Sequence, residues 1–236
     1  MTERSFTEVL QETEQRCRNM DAPLSARLSA FADELRRLNG EFADVVDRLV
    51  ARLEASGAGE TAPLPGEEMP DFLLPDQSGR LVSLKELLAK GPVAIAFQRG
   101  DWCPYCRITA DVLAENYSKI EALGAELVAV TPDREQFNSE LRSGASARFP
   151  ILSDMDNGYA LLVNVAIWVG EEKQRFLKAA GWDLSTYQGN DAWTLPIPAT
   201  FVVGTDGLVK ERFIDPDYRK HMAVEDMLAA LKSCAA

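Results

Sequence analysis

The chain has 236 residues, of which 46% are hydrophobic and 26% charged, and its 25 basic against 37 acidic side chains leave a net charge of −12. That apolar share buries a sizeable core and excludes a disordered chain, and the length suits one or two domains. The acidic excess argues against a nucleic-acid partner, which needs clustered Lys and Arg to neutralise phosphates. Four cysteines over this length do not make a disulfide framework. The single histidine, His221, excludes His-rich metal sites, so thiols are the notable reactive groups.

Residues Met1 to Glu8 have neither an apolar stretch nor a small-residue cleavage site, so no signal peptide is expected. The run Gly91 to Phe97 is too short to span a bilayer. The expectation is a cytoplasmic protein with no membrane partner, in which a cysteine pair is catalytic or metal-binding.

Residues 1–60 carry 12 acidic and 8 basic charges, every base being arginine. Apolar residues recur there at helical spacing: Phe6, Val9, Leu10, Cys17 and Met20, then Leu24, Leu28, Phe31, Leu35, Leu38, Phe42, Val45, Leu49 and Leu53. The second set is close to a heptad seam. Asp21 and Pro23 can start the second helix, and Asn39-Gly40 marks a kink or break inside it. The pattern predicts a helical hairpin over residues 1–56, packed on the body of the protein or on a second subunit. Residues 57–66, rich in Gly and Pro, read as a linker to a domain over 67–236.

Beyond the linker, strand and helix patterns alternate. Short strands at 71–74 and 81–82 flank Gly79, and Ser83 caps a helix from Leu84. Val93–Phe97 suits a buried central strand, followed by a helix from Pro104 to Ala122. Glu126–Val130 is a second buried strand, and Asp133 caps a helix to about Arg142. Thr200–Val203 and Leu208–Phe213 flank the turn Gly204-Thr205-Asp206-Gly207, a hairpin signal. Val224–Lys232 is an amphipathic closing helix. The fold class is α/β with a central mixed sheet flanked by helices.

The decisive segment, Phe97-Gln98-Arg99-Gly100-Asp101-Trp102-Cys103-Pro104-Tyr105-Cys106-Arg107, joins a buried strand to a helix, the context of a redox-active C-x-x-C. Cys103 falls at the N-cap and Pro104 at the first helical position, where a missing N–H costs nothing. Free N–H groups and the helix dipole stabilise a thiolate there. Arg99 and Arg107 add positive charge, and Cys106 lies one turn deeper on the same face. The expected pair is an exposed, acidic attacker with a more buried partner. Half of a zinc site, a cluster shared between two subunits and an unreactive pair are the competing readings. No second C-x-x-C exists, and Cys17, His221 and Cys234 are scattered. No metal and no cofactor is expected.

Trp-Cys-Pro-Tyr-Cys after a strand resembles the thioredoxin superfamily, and Cys-Pro-Tyr-Cys is also the glutaredoxin active-site sequence. The segments Pro70 to Asp76 with Gly79, Phe149 to Asp154, and Pro198 to Val203 with Asp206-Gly207 resemble the peroxiredoxins of the alkyl hydroperoxide reductase and thiol-specific antioxidant group. The similarity covers roughly residues 66–233. It is closest to a branch with a helical N-terminal extension, which also shares the pattern Phe213 to Tyr218.

The resemblance implies a thioredoxin-like fold, a hydroperoxide substrate and a thioredoxin- or glutaredoxin-like reductant. It departs at one place. Laid on the family's P-x-x-x-T/S-x-x-C, Arg99 stands for the proline, Cys103 for the hydroxyl residue and Cys106 for the peroxidatic cysteine. A peroxidase would therefore attack with Cys106 and resolve with Cys103. A disulfide oxidoreductase would attack with Cys103 instead, and both orders stay open. Arg99 and Arg148 are candidates for the family's thiolate-supporting arginine. The resemblance also makes Pro198 a cis proline beside the reactive cysteine, followed by Thr200.

Trp102, Tyr105 and Phe97 are expected to wall the site. Cys17 is expected to be buried in packing, and Cys234 and His221 to lie at the surface. The segment 157–194, with Trp168, Trp182, Tyr187 and Trp193, either covers the site or extends the core. A homodimer through the N-terminal helices is expected.

Overall fold

The computed structural model describes residues 6–234; residues 1–5, read above for a leader, lie outside the described residues. Three helices open the chain: α1 (Phe6–Arg18), α2 (Leu24–Leu38) and α3 (Gly40–Ala55). The expected hairpin is thus a three-helix prefix. The reason is Asn39, whose N–H donates to the Leu35 carbonyl at 2.8 Å and whose side chain accepts the Phe42 N–H at 2.9 Å. One residue ends α2 and caps α3.

A short β1 (Leu73–Pro75) and β2 (Leu81–Ser83) pair antiparallel around Gly79, whose φ of 80° suits glycine. Ser83 caps α4 (Leu84–Leu88), accepting the Glu86 N–H. Then come β3 (Val93–Phe97), α5 (Pro104–Ala122), β4 (Glu126–Thr131), α6 (Glu135–Gly144) and β5 (Ile151–Ser153). The cap of α6 is Arg134, not Asp133, which is turned inward and fully buried. A single 3-10 turn leads into α7 (Gly158–Leu162), β6 (Ala166–Trp168), α8 (Glu171–Ala179), α9 (Leu184–Gln188) and β7 (Thr194–Pro196). The chain closes with β8 (Ala199–Val203), β9 (Val209–Ile214) and α10 (Val224–Cys234).

The main sheet has the order β5-β4-β3-β8-β9. β3, β4 and β5 run parallel, while β8 and β9 are antiparallel to their neighbours, so the sheet is mixed as expected. Period-two alternation splits β3 between two cores. Ala94 and Ala96 face α5, α10 and the prefix, where small side chains let helices approach. Val93, Ile95 and Phe97 face the opposite core with Val128, Phe201 and Tyr159. Both ends of the central strand are therefore buried, and its C-terminal end delivers the cysteine loop.

The prefix is fused to this body. Leu10, Cys17, Leu24, Leu28, Phe31, Leu35 and Phe42 share one core with α5 and α10. Arg27 forms a two-pronged ion pair with Glu115 of α5, at 2.8 and 2.9 Å, and Arg18 joins Asp111. The apolar seam read from the sequence is thus buried within the chain, Cys17 included. Within residues 57–66 only part touches the body: Ala62 is buried, and a Cβ at Gly59 would lie within 2.8 Å of Ile214 and Ile197 side chains, while Leu64 is 46% exposed. No helix among the described residues is long and apolar enough to cross a membrane.

Phe31 is buried edge-on against Tyr105, ring centroids 5.0 Å apart. Phe31→Ala is expected to cost about 3–5 kcal/mol in urea unfolding. Asn39→Ala, which removes one cap, is expected to cost about 1 kcal/mol. Equal, near-zero effects of both would show that the prefix does not share the body's cooperative unit.

Candidate active site

The strand–loop–helix segment after β3 folds as its residues dictate. Gly100 takes φ +121°, and a Cβ there would strike the Asp133 carboxylate at 2.3–2.5 Å. Only glycine passes so close. Asp133 in turn accepts the Asp101 N–H at 2.8 Å, which fixes the loop from the end of β4. Its carboxyl is pushed up to about 8, mainly by burial, with the Asp101 and Cys103 charges adding. Cys103 is the N-cap of α5 and Pro104 opens the helix.

Both thiols are free and buried, with Cys103 2% and Cys106 1% exposed. The expected exposed attacker is therefore covered. It is covered by the prefix and the 157–194 segment: a cavity of about 20 Å³ over Cys103 is lined by Phe31, Leu35 and Phe42 on one side and by Lys173, Leu177 and Trp182 on the other. That volume holds about one water-sized molecule. The long segment thus walls the site and also extends the core, where Trp193 is buried.

The electrostatics separate the two cysteines. Burial alone pushes the Cys103 thiol up, but four groups outweigh it: the Cys106 thiol, the Arg99 guanidinium and the backbone N–H groups of Cys106 and Tyr105. The result is a thiol brought down to about 6. Cys106 is held well above its ordinary range by burial, by its hydrogen bond to Cys103 and by the Cys103 charge. Its sulfur also accepts the Arg99 N–H at 3.2 Å. The surroundings thus favour the pair's negative charge on Cys103, with Cys106 as the thiol beside it.

Arg99 is the supporting arginine. Its guanidinium lies 3.9 Å from the Tyr218 ring centroid and 4.9 Å from that of Trp102, and the Trp102 indole N–H donates to the Arg99 carbonyl at 2.9 Å. Arg148 is elsewhere, over Tyr117 and paired with Glu121. Arg107 turns away from the thiols: it donates to the Asp101 carbonyl and carboxylate and lies 3.6 Å from Glu14, so it braces the loop.

Other expectations change. Trp102 and Tyr105 wall the cavity, but Phe97 points to the opposite face, stacked on Tyr159. Pro198 is trans, because the described residues contain no cis peptide. Its carbonyl accepts the Asp215 N–H at 3.2 Å, a strand-end contact that the trans form serves. Thr200 sits opposite Ala96 in register, and neither residue lines the cavity. His221 is half-buried rather than on the surface, with a buried, unpartnered Nε2 and its imidazole pushed down to about 4, mainly by burial. It does not line the cavity over Cys103. Cys234 is half-buried, donating to the Ala230 carbonyl.

Sequence reasoning missed Lys173 and Tyr218. Lys173 is 2% exposed, and its Nζ donates to the Tyr218 hydroxyl at 3.0 Å. The available signal was spacing: Lys173 shares an inward helical stripe with Phe176 and Leu177, where a third apolar residue would be ordinary.

A sequence profile of the AhpC/TSA family matches residues 65–212. Chloroplastic peroxiredoxin Q of Oryza sativa is 33% identical over 92 residues, 39% of this chain and 42% of that one. The chain therefore spans less than half the length of this relative. The thiol-disulfide oxidoreductase ResA of Bacillus anthracis is 26% identical over 157 residues, 66% of this chain and 73% of its own. The crystal structure of the peroxidoxin BcpB from Mycobacterium tuberculosis superposes with a TM-score of 0.56 at 22% identity, covering 72% of this chain and 97% of that one, which shows the shared thioredoxin-like fold.

Because the thiolate is the reactive form, alkylation of Cys103 by iodoacetamide is expected to be pH-independent above its pKa and to fall away as the pH drops through about 6. Peptide mapping should find Cys106 and Cys17 modified only at higher pH, since burial raises both. Arg99→Met should move the Cys103 midpoint up by roughly one pH unit. A midpoint near 8.5, the ordinary cysteine value of about that size, would refute the assignment of the thiolate.

Proposed function

The chain belongs to the AhpC/TSA family, and on that premise we propose that it reduces hydroperoxides through the Cys103–Cys106 dithiol. The observation that carries this reading is the Cys103 thiolate at the start of α5, with the Cys106 thiol hydrogen-bonded to it inside a water-sized cavity. The Cys103 thiolate attacks the peroxide, the O–O bond breaks, and Cys103 becomes a sulfenic acid. Cys106 then attacks that sulfur and water leaves, closing the disulfide. This order reverses the one obtained by laying the family pattern on the sequence, because the more acidic thiol stands at the pattern's hydroxyl position.

In our reading the disulfide is reopened by a thioredoxin- or glutaredoxin-like reductant, and the resting dithiol suits the reducing cytoplasm. The burial of both sulfurs implies that the covering helices part when a protein reductant engages. A homodimer must use a surface other than the apolar seam, which the body already covers.

A second reading is a disulfide oxidoreductase with little peroxidase activity. It is supported by the N-cap position of the acidic cysteine and by the likeness to ResA. Stopped-flow Trp fluorescence of reduced protein mixed with hydrogen peroxide separates the two, since Trp102 sits on the site. Wild type should react far faster than free cysteine. Cys103→Ser should abolish the reaction, and Cys106→Ser should retain the first step and stop at a sulfenic acid trapped by dimedone. Reaction retained in Cys103→Ser but lost in Cys106→Ser would reverse the roles. No reaction faster than free cysteine, with mixed-disulfide reduction intact, would establish the second reading.

A further inference from the structure

Among the buried groups that the scheme above leaves unused, Lys173 is the one that lines the same cavity as Cys103. It projects from α8 into the cavity that Cys103 lines. Its Nζ lies 3.7 Å above the Phe42 ring centroid and 3.0 Å from the Tyr218 hydroxyl, and no ion pair joins it to a carboxylate among the described residues. A lysine this deeply buried without a counter-ion is expensive to keep charged.

The charged and titratable groups around Lys173 come from each element packed on it. Arg99 of the cysteine loop and Arg219 beyond β9 disfavour its ammonium form, and the Cys103 thiolate favours it. Tyr105 and Tyr218 complete the wall as neutral phenols, both raised above their ordinary range mainly by burial. Arg219 is itself held by Asp217 and Asp47. Burial, the largest influence, brings the amine well below its usual value.

We propose that Lys173 and Cys103 share one proton, and that Lys173 carries it to the oxygen leaving the hydroperoxide. This rests on the hydroperoxide reading for its second half only. The neutral amine takes the proton of the Cys103 thiol, giving thiolate and ammonium. The thiolate attacks the terminal peroxide oxygen, an S–O bond forms, the O–O bond breaks, and its electron pair goes to the departing alkoxide or hydroxide. The ammonium returns the proton to that oxygen, so alcohol or water leaves, and Cys103 sulfenic acid and the neutral amine remain. The single histidine does not line this cavity, so it does not compete for this role.

The test compares Lys173→Met, which fits the apolar wall, with Lys173→Arg, which keeps a permanent charge but gives up no proton. Near-UV circular dichroism checks that both retain the wild-type fold. The first readout is the pH profile of Cys103 alkylation, which needs no peroxide. Lys173→Met should raise its midpoint by about one pH unit, and Lys173→Arg should not. The second readout is the rate of sulfenic acid formation with hydrogen peroxide above that midpoint, where every variant is fully thiolate. Both variants should be about 100-fold slower than wild type. If Lys173→Arg restores the peroxide rate, charge alone suffices and the proton carrier is refuted. If Lys173→Met leaves both readouts at wild-type values, Lys173 is a packing residue. If wild type itself ignores peroxide, the functional reading fails, while the alkylation midpoint still decides whether the proton is shared.

Discussion

A thiolate that is 2% exposed is the constraint on which this structure turns. Removing a full charge from water costs several kcal/mol even after relaxation, so a buried thiolate persists only where donors surround it. Here the donors are the first N–H groups of α5, the Cys106 thiol and Arg99. Each is held in place by something further out. Pro104 starts the helix, Gly100 lets the loop pass against Asp133, and Asp133 accepts the Asp101 N–H. Arg99 is flanked by the rings of Trp102 and Tyr218 instead of a carboxylate, which leaves its charge directed at the sulfur.

The same constraint explains why the core fold carries two additions. The α1–α3 prefix and the 157–194 segment meet beside Cys103, and both line its cavity. Without them the thiolate would be hydrated, its electrostatic interactions would be screened, and its sulfenic acid would be open to further oxidation. The prefix holds its place through a shared apolar core and the ion pairs of Arg18 and Arg27 with α5. α8 is placed by contacts to α3, including Phe42 against Phe176. The enclosure admits only a molecule of about the size of water, so a larger partner reaches the sulfurs only if it opens.

Much of this was legible in the sequence because it depends on local patterns. The buried run of β3, the N-cap and proline of α5, the hairpin β8–β9 and the burial of Cys17 follow from apolar patterning and from residue types at helix ends and turns. What was missed depends on distant neighbours. Asn39 reads as a kink until its side chain is seen capping α3. Asp133 reads as a helix cap because aspartate usually caps, yet the glycine opposite draws it into the loop. Phe97 was placed by proximity in sequence, although strand alternation sends it to the other face. His221 sits between charged residues but turns its ring inward, and Lys173 occupies a slot that composition assigns to the surface. Exposure of Cys103 was misjudged for the same reason, since its cover comes from segments more than fifty residues away on both sides.

The departure from the peroxiredoxin pattern has a physical reading. In P-x-x-x-T/S-x-x-C the hydroxyl residue precedes the reactive cysteine by one helical turn and so occupies the end of the helix. Replacing that hydroxyl by a thiol puts a second ionisable sulfur where the N–H groups converge, and the two then share a single negative charge. The better-solvating position takes it. The first backbone N–H groups of α5 and the Cys106 thiol favour the charge on Cys103, whereas Cys106 accepts the Arg99 N–H at 3.2 Å. A thiol at the pattern's hydroxyl position therefore favours the negative charge a turn nearer the helix end, within the same fold.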